Sequence, residues 1–119
     1  MTPGASAPER VVVGDFGAIA RHGMSNALRA EGFHVLTYDL AEVEAHIDVV
    51  RPRAVVLDRD LEACRLLGRR IAVEHPEVRV IACSVDEPRM QVYPAEAGPE
   101  PRAVPLTAAL LAAAIREEP

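Results

Sequence analysis

The sequence predicts an α/β fold: a three-layer, doubly wound sheet of five parallel strands in the order 2-1-3-4-5. Three observations carry this expectation. Strand-like and helix-like segments alternate along the 119 residues with short connections. The segments "RVVVGD", "AVVLD" and "VRVIACS" are nearly continuous apolar runs, as expected of strands covered on both faces. The segments between them space their apolar residues as helices do, and right-handed crossovers then place helices on both faces of the sheet.

Residues 1–9, "MTPGASAPE", are small and Pro-containing and read as a flexible tail, which leaves one domain over 10–118. A first buried strand covers 10–15. A helix follows from Ala18 to Glu31, with Ile19, Gly23, Met24, Ala27 and Leu28 at helical spacing, and Gly32 stands in the stop position. "FHVLTYD" (33–39) alternates and makes a second strand. Residues 40–50 form a short helix with Val43, Ile47 and Val50 on one side, closed by Pro52. The third strand is 54–58, and a helix over 61–75 lines up Leu61, Cys64, Leu67 and Ile71 before Pro76. The fourth strand is 78–84.

Beyond it the pattern weakens, because five of the ten prolines fall between Asp86 and Pro105. A fourth helix around "PRMQVY" would be cut short by Pro94, so it is expected to be shortened or irregular. "RAV" (102–104) is a brief fifth strand, and 106–118 a last helix.

Composition narrows the function. The formal charge of −5 shows no basic excess, which argues against nucleic acid or an acidic membrane as partner. All 13 basic residues are arginine, so Schiff-base chemistry is excluded. Cys64 and Cys83 are too few and too far apart for a zinc framework, and His22, His34, His46 and His75 lack ligand spacing. No nucleophile–base pair is apparent, so the chain is not expected to be an enzyme. Neither a signal peptide nor a stretch of membrane-spanning length is present, and a cytoplasmic protein is expected.

In the predicted order, the first and third strands are neighbours where strand order reverses, the place where doubly wound sheets carry their sites. Asp15 and Asp58 would meet there, with Ser84 at the tip of the fourth strand. The segments "VVVGDFGAIARHGMSNALRAEGFHV", "RPRAVVLDRDL" and "EHPEVRVIACSVDEP" resemble the receiver domain of bacterial response regulators, of CheY-like, flavodoxin-like fold. The resemblance spans roughly 10–117 and is weakest between 86 and 105.

It implies a role in signal transduction. Asp58 falls at the phosphoacceptor position and Ser84 at that of the switch hydroxyl. Asp15, Asp58 and the carbonyl of Asp60 fall at positions that hold Mg²⁺. Two departures make the chain an atypical receiver: Phe16 stands where a second metal acid is expected, and Val104, before Pro105, where the family has its lysine. The loop after Asp58 also lacks the family's proline and glycines.

Mg²⁺ takes hard oxygen ligands in octahedral geometry, and a benzyl ring supplies none. A lost charge-assisted contact, on the order of 1.5–3 kcal/mol, lowers the coupling between phosphate and conformation by roughly one to two orders of magnitude. Asp58 then reads either as a residual phosphorylation site or as an acid at a strand end. Arg102 is an alternative cation, two residues deeper than Val104.

The expected function is signalling through protein contacts, with a histidine kinase or a downstream regulator as partner and phosphorylation weak or absent. A working phosphoacceptor in a two-component phosphorelay and a small-ligand module using Gly14 and Gly17 are the alternatives. In the nearly all-apolar last helix, Leu106, Leu110, Ala113 and Ala114 are expected on the sheet. Leu111, Ala112 and Ile115 are expected to face a partner, including a second copy in a homodimer.

Overall fold

The computed structural model describes residues 9–14, 16–84, 86–93 and 103–116. Its strands are β1 (Arg10–Gly14), β2 (His34–Tyr38), β3 (Ala54–Asp58), β4 (Arg79–Ser84), β5 (Arg89–Tyr93) and β6 (Ala103–Pro105). Its helices are α1 (Ala18–Ala30), α2 (Leu40–Val50), α3 (Glu62–Glu74) and α4 (Ala108–Arg116). The α/β class and the order 2-1-3-4-5 hold, but the brief fifth strand expected at 102–104 is β6, and β5 is inserted between it and β4. The pairs β1–β2, β1–β3 and β3–β4 are parallel.

Side-chain alternation along these strands divides the core into two layers. Val11, Val13, Val56, Ile81 and Cys83 pack with Leu28 of α1 and with Leu111, Ala112 and Ile115 of α4. Val12, Val55, Leu57 and Val80 pack with Val43 and Ile47 of α2 and with Cys64, Leu67 and Ile71 of α3. Each such burial contributes about 1.5–3 kcal/mol, and the Val-rich strands supply it on both faces at once. Tight packing also explains Gly14. A Cβ there would meet Val43 Cγ2 at 2.9 Å and Leu57 Cδ2 at 3.0 Å, so the exit of β1 passes under α2 only without a side chain. Gly32, at φ +95°, makes the left-handed turn between α1 and β2.

The structure departs from the sequence expectation in four places. Residues 89–93 form a strand where a shortened helix was expected, and it runs antiparallel to β4. Only residues 85–88 separate it from β4, too few for the crossover a parallel neighbour needs. Met90 and Val92 alternate onto the α1/α4 layer.

Ile19 is 92% exposed, and α1 docks instead through Ser25 and Leu28. Glu9 belongs to the folded unit rather than to the tail, because its carbonyl accepts from the His34 amide at 2.9 Å. The tail residues 1–8 lie outside the described residues.

The last departure concerns the proposed partner face. Leu111, Ala112 and Ile115 are 2%, 1% and 0% exposed and belong to the core, whereas Leu110 and Ala113 face outward. A helix apolar nearly all round carries no facial signal. Its rotation is set by its start, where the Thr107 hydroxyl accepts from the Leu110 amide at 3.1 Å.

Candidate functional site

β3 ends in Asp58 and β4 in Ser84, side by side at the C-terminal edge of the central strands. The Asp58 carboxylate is half-buried, and its Oδ1 accepts the backbone N–H of Asp60 at 2.9 Å. This short Asx-type turn leads within a few residues into α3. The Arg59 amide continues the ladder by donating to the Cys83 carbonyl at 2.9 Å.

Ser84 is 3% exposed. Its hydroxyl donates to the Asp60 carboxylate, with oxygens at 3.0 and 3.2 Å, and accepts from the Glu87 amide at 3.5 Å. The structure therefore joins Asp58, Asp60 and Ser84 in one hydrogen-bonded chain. Asp15 and Arg102 fall outside the described residues. Among the described residues, no group of three or more His, Cys, Asp or Glu side chains is arranged to hold a metal ion.

Phe16 is 5% exposed and packs in the α1/α4 layer, so the residue after Asp15 is a core ring that offers no oxygen to a metal ion. Val104 pairs with Met90 across β5–β6, two strands away from β4. The place beside β4 belongs to β5, and there Arg89 is the register partner of Ser84. Directly opposed residues in an antiparallel pair project from the same face of the sheet. Arg89 is exposed, and its position beside the end of β4 was not foreseen from the sequence. The signal was the turn-forming "DEP" before an alternating "RMQVY", which marks a hairpin.

Cys83 faces Asp58 across the β3–β4 pair. Burial, and secondarily the Asp58 carboxylate, pushes its thiol up from 9.0 to about 12. At neutral pH it is a protonated packing group rather than a nucleophile. The glycines of the small-ligand alternative do not frame a cradle: Gly14 is covered by Val43 and Leu57, and Gly17 has nothing near its missing Cβ. A cavity of about 420 Å³, lined by Ile47, Asp48, Arg51, Pro52, His75 and Val78, opens at the opposite end of the sheet from Asp58.

No family model, curated protein or solved structure matches this chain. Its fold, a doubly wound α/β sheet with an antiparallel outer hairpin, is shared by proteins of many functions. Among the described residues, no helix is long and apolar enough to cross a membrane.

Proposed function

We propose that the chain is an atypical receiver-like domain that acts in signal transduction through protein contacts, with phosphorylation at Asp58 weak or absent. One observation carries this reading. Asp58 and Ser84 stand together at the switch-point end of the sheet, but the Ser84 hydroxyl is already engaged by the Asp60 carboxylate. Phe16 supports it, since its ring supplies no metal ligand beside Asp15. Mg²⁺ has few ligands to hold it there, and the partner is a protein, a histidine kinase or a downstream regulator.

A second reading, a working phosphoacceptor in a phosphorelay, is favoured by Arg89, the register partner of Ser84 on β5, since a guanidinium is the kind of group that suits a phosphoryl group. Titration with millimolar Mg²⁺ and then beryllofluoride, a phosphoryl mimic, followed by backbone amide shifts, separates the two. The first reading predicts no saturable shift at Asp58, Asp60 or Ser84. Saturable shifts there, lost in Asp58→Asn, would establish the second.

A further inference from the structure

Two helices end on the cavity at the edge of the sheet opposite Asp58. Its volume of about 420 Å³ falls within the range of about 300–1,000 Å³ typical of small-molecule sites. α2 stops at Val50 and α3 at Glu74, and residues just past each helix line the cavity together with Ile47 and Asp48 from the last turn of α2. Arg51 takes the left-handed conformation, with φ 50° and ψ 61°, and Pro52 after it is buried. Ile47, Pro52 and Val78 are all buried and give the cavity an apolar wall, while Asp48 and Glu77 stand exposed at its rim.

The charge around this wall has one prevailing sign. The C-terminal ends of α2 and α3 both present partial negative charge there. The carboxylates of Asp48 and Glu77, from different segments, converge on one nitrogen: they lie 3.8 and 3.7 Å from His75 Nδ1. Both distances exceed a hydrogen bond, and His75 carries a charge only when protonated. Arg51 is the one arginine among the described residues that line the cavity. We propose that this cavity binds a small organic cation, a primary amine on an apolar body, with its ammonium between Asp48 and Glu77 and its body against Ile47, Pro52 and Val78. An amine fits better than a metal ion, because among the described residues no group of three or more His, Cys, Asp or Glu side chains is arranged to hold one.

This site stands apart from Asp58 and does not rest on the function proposed above. The test titrates the full chain with benzylammonium chloride, at fixed pH and with sodium chloride balancing the ionic strength, and follows backbone amide shifts. Saturable shifts in the millimolar range are expected at Ile47, Asp48, Arg51, His75, Glu77 and Val78. Benzyl alcohol, the same frame without the charge, should bind about tenfold more weakly, since both ion pairs are then missing. Asp48→Asn and Glu77→Gln should each weaken binding of the amine by about twofold to fivefold, the range for a partly solvated ion pair, and the two together by more than either alone. Both side chains are exposed, so neither substitution threatens the fold. His75→Lys, which tethers an ammonium beside the same carboxylates, should abolish binding, whereas Glu62→Gln, at the other edge of the sheet, should leave it unchanged. The absence of saturable shifts, equal binding of benzyl alcohol, or an unaltered affinity in the double carboxylate variant would overturn the site.

Discussion

At the N-terminal end of the strands, arginines close helix ends. At the C-terminal end, carboxylates and a hydroxyl are tied to one another. Arg10 donates to the Val50 carbonyl that ends α2, at 3.0 Å. Arg53 donates through Nε to the Ile115 carbonyl at 2.7 Å and through Nη2 to that of Arg116, which closes α4. Arg116 reaches the Glu31 carbonyl after α1 at 2.5 Å and lies over the Phe33 ring at 4.7 Å.

Helices in a doubly wound sheet run back against the strands, so their negative ends gather at this edge and cations are favoured there. A guanidinium spans two carbonyls at once, which an ammonium cannot do in the same plane. At the opposite edge the acids sit near helix starts, where Glu62 occupies the first turn of α3 and Asp39 caps α2. The difference teaches that the arginines join helix ends to distant segments, whereas the acid-edge carboxylates accept chiefly from amides two or three residues away, with Ser84–Asp60 as the long-range link.

Alkali should separate the two ends most strongly. The Cys83 thiol holds its proton up to about pH 12 when folded, but an unfolded thiol loses it near 9.0. Stability from this group is thus complete below about pH 9 and is lost as pH rises toward 12, on the order of 4 kcal/mol in all. The arginines stay charged throughout. Urea midpoints at pH 8 and 11 should lie further apart in the parent than in Cys83→Ala; equal separations would show that Cys83 does not drive the loss.

Next in size is Arg53→Met, expected to cost about 2 kcal/mol because two carbonyls lose their donor. Arg53→Lys should recover less than half of that, and full recovery would remove the argument for a forked donor. Arg53 also approaches Glu9 at 3.4 Å, but that pair is partly solvated and adds little. The smallest effect belongs to the acid edge. Asp39→Ala removes a capping box in which Asp39 accepts from the Glu42 amide at 2.9 Å, and should cost about 1 kcal/mol in chemical denaturation.

How much of this was readable from the sequence varies along the chain, for physical reasons. Strands buried on both faces announce themselves, so "VVV", "AVVLD" and "VRVIACS" placed β1, β3 and β4 within a residue or so, and the strand order followed. The region after Ser84 is harder because prolines suppress helix without specifying a strand, and the direction of β5 depends on a short turn. Asp58 and Ser84 were legible as neighbours, since both end central strands. Their link through the carboxylate of Asp60 was not, because it depends on a side-chain direction fixed by one backbone amide. Ile19 and the buried face of α4 were misplaced for a related reason: where apolar residues crowd several sides of a helix, its rotation is decided by caps and neighbours rather than by periodicity.

The short strand β6 gives the sheet an unequal pair of borders. It spans three residues, and the last, Pro105, has no N–H to offer a further strand. Growth of the sheet past β6 by pairing with another chain is therefore blocked almost as soon as it starts. The border at β2 is five residues long and contains no proline, with His34 and Thr37 exposed along it. If this protein ever extends its sheet, whether in assembly or in aggregation, the added strand comes in beside β2.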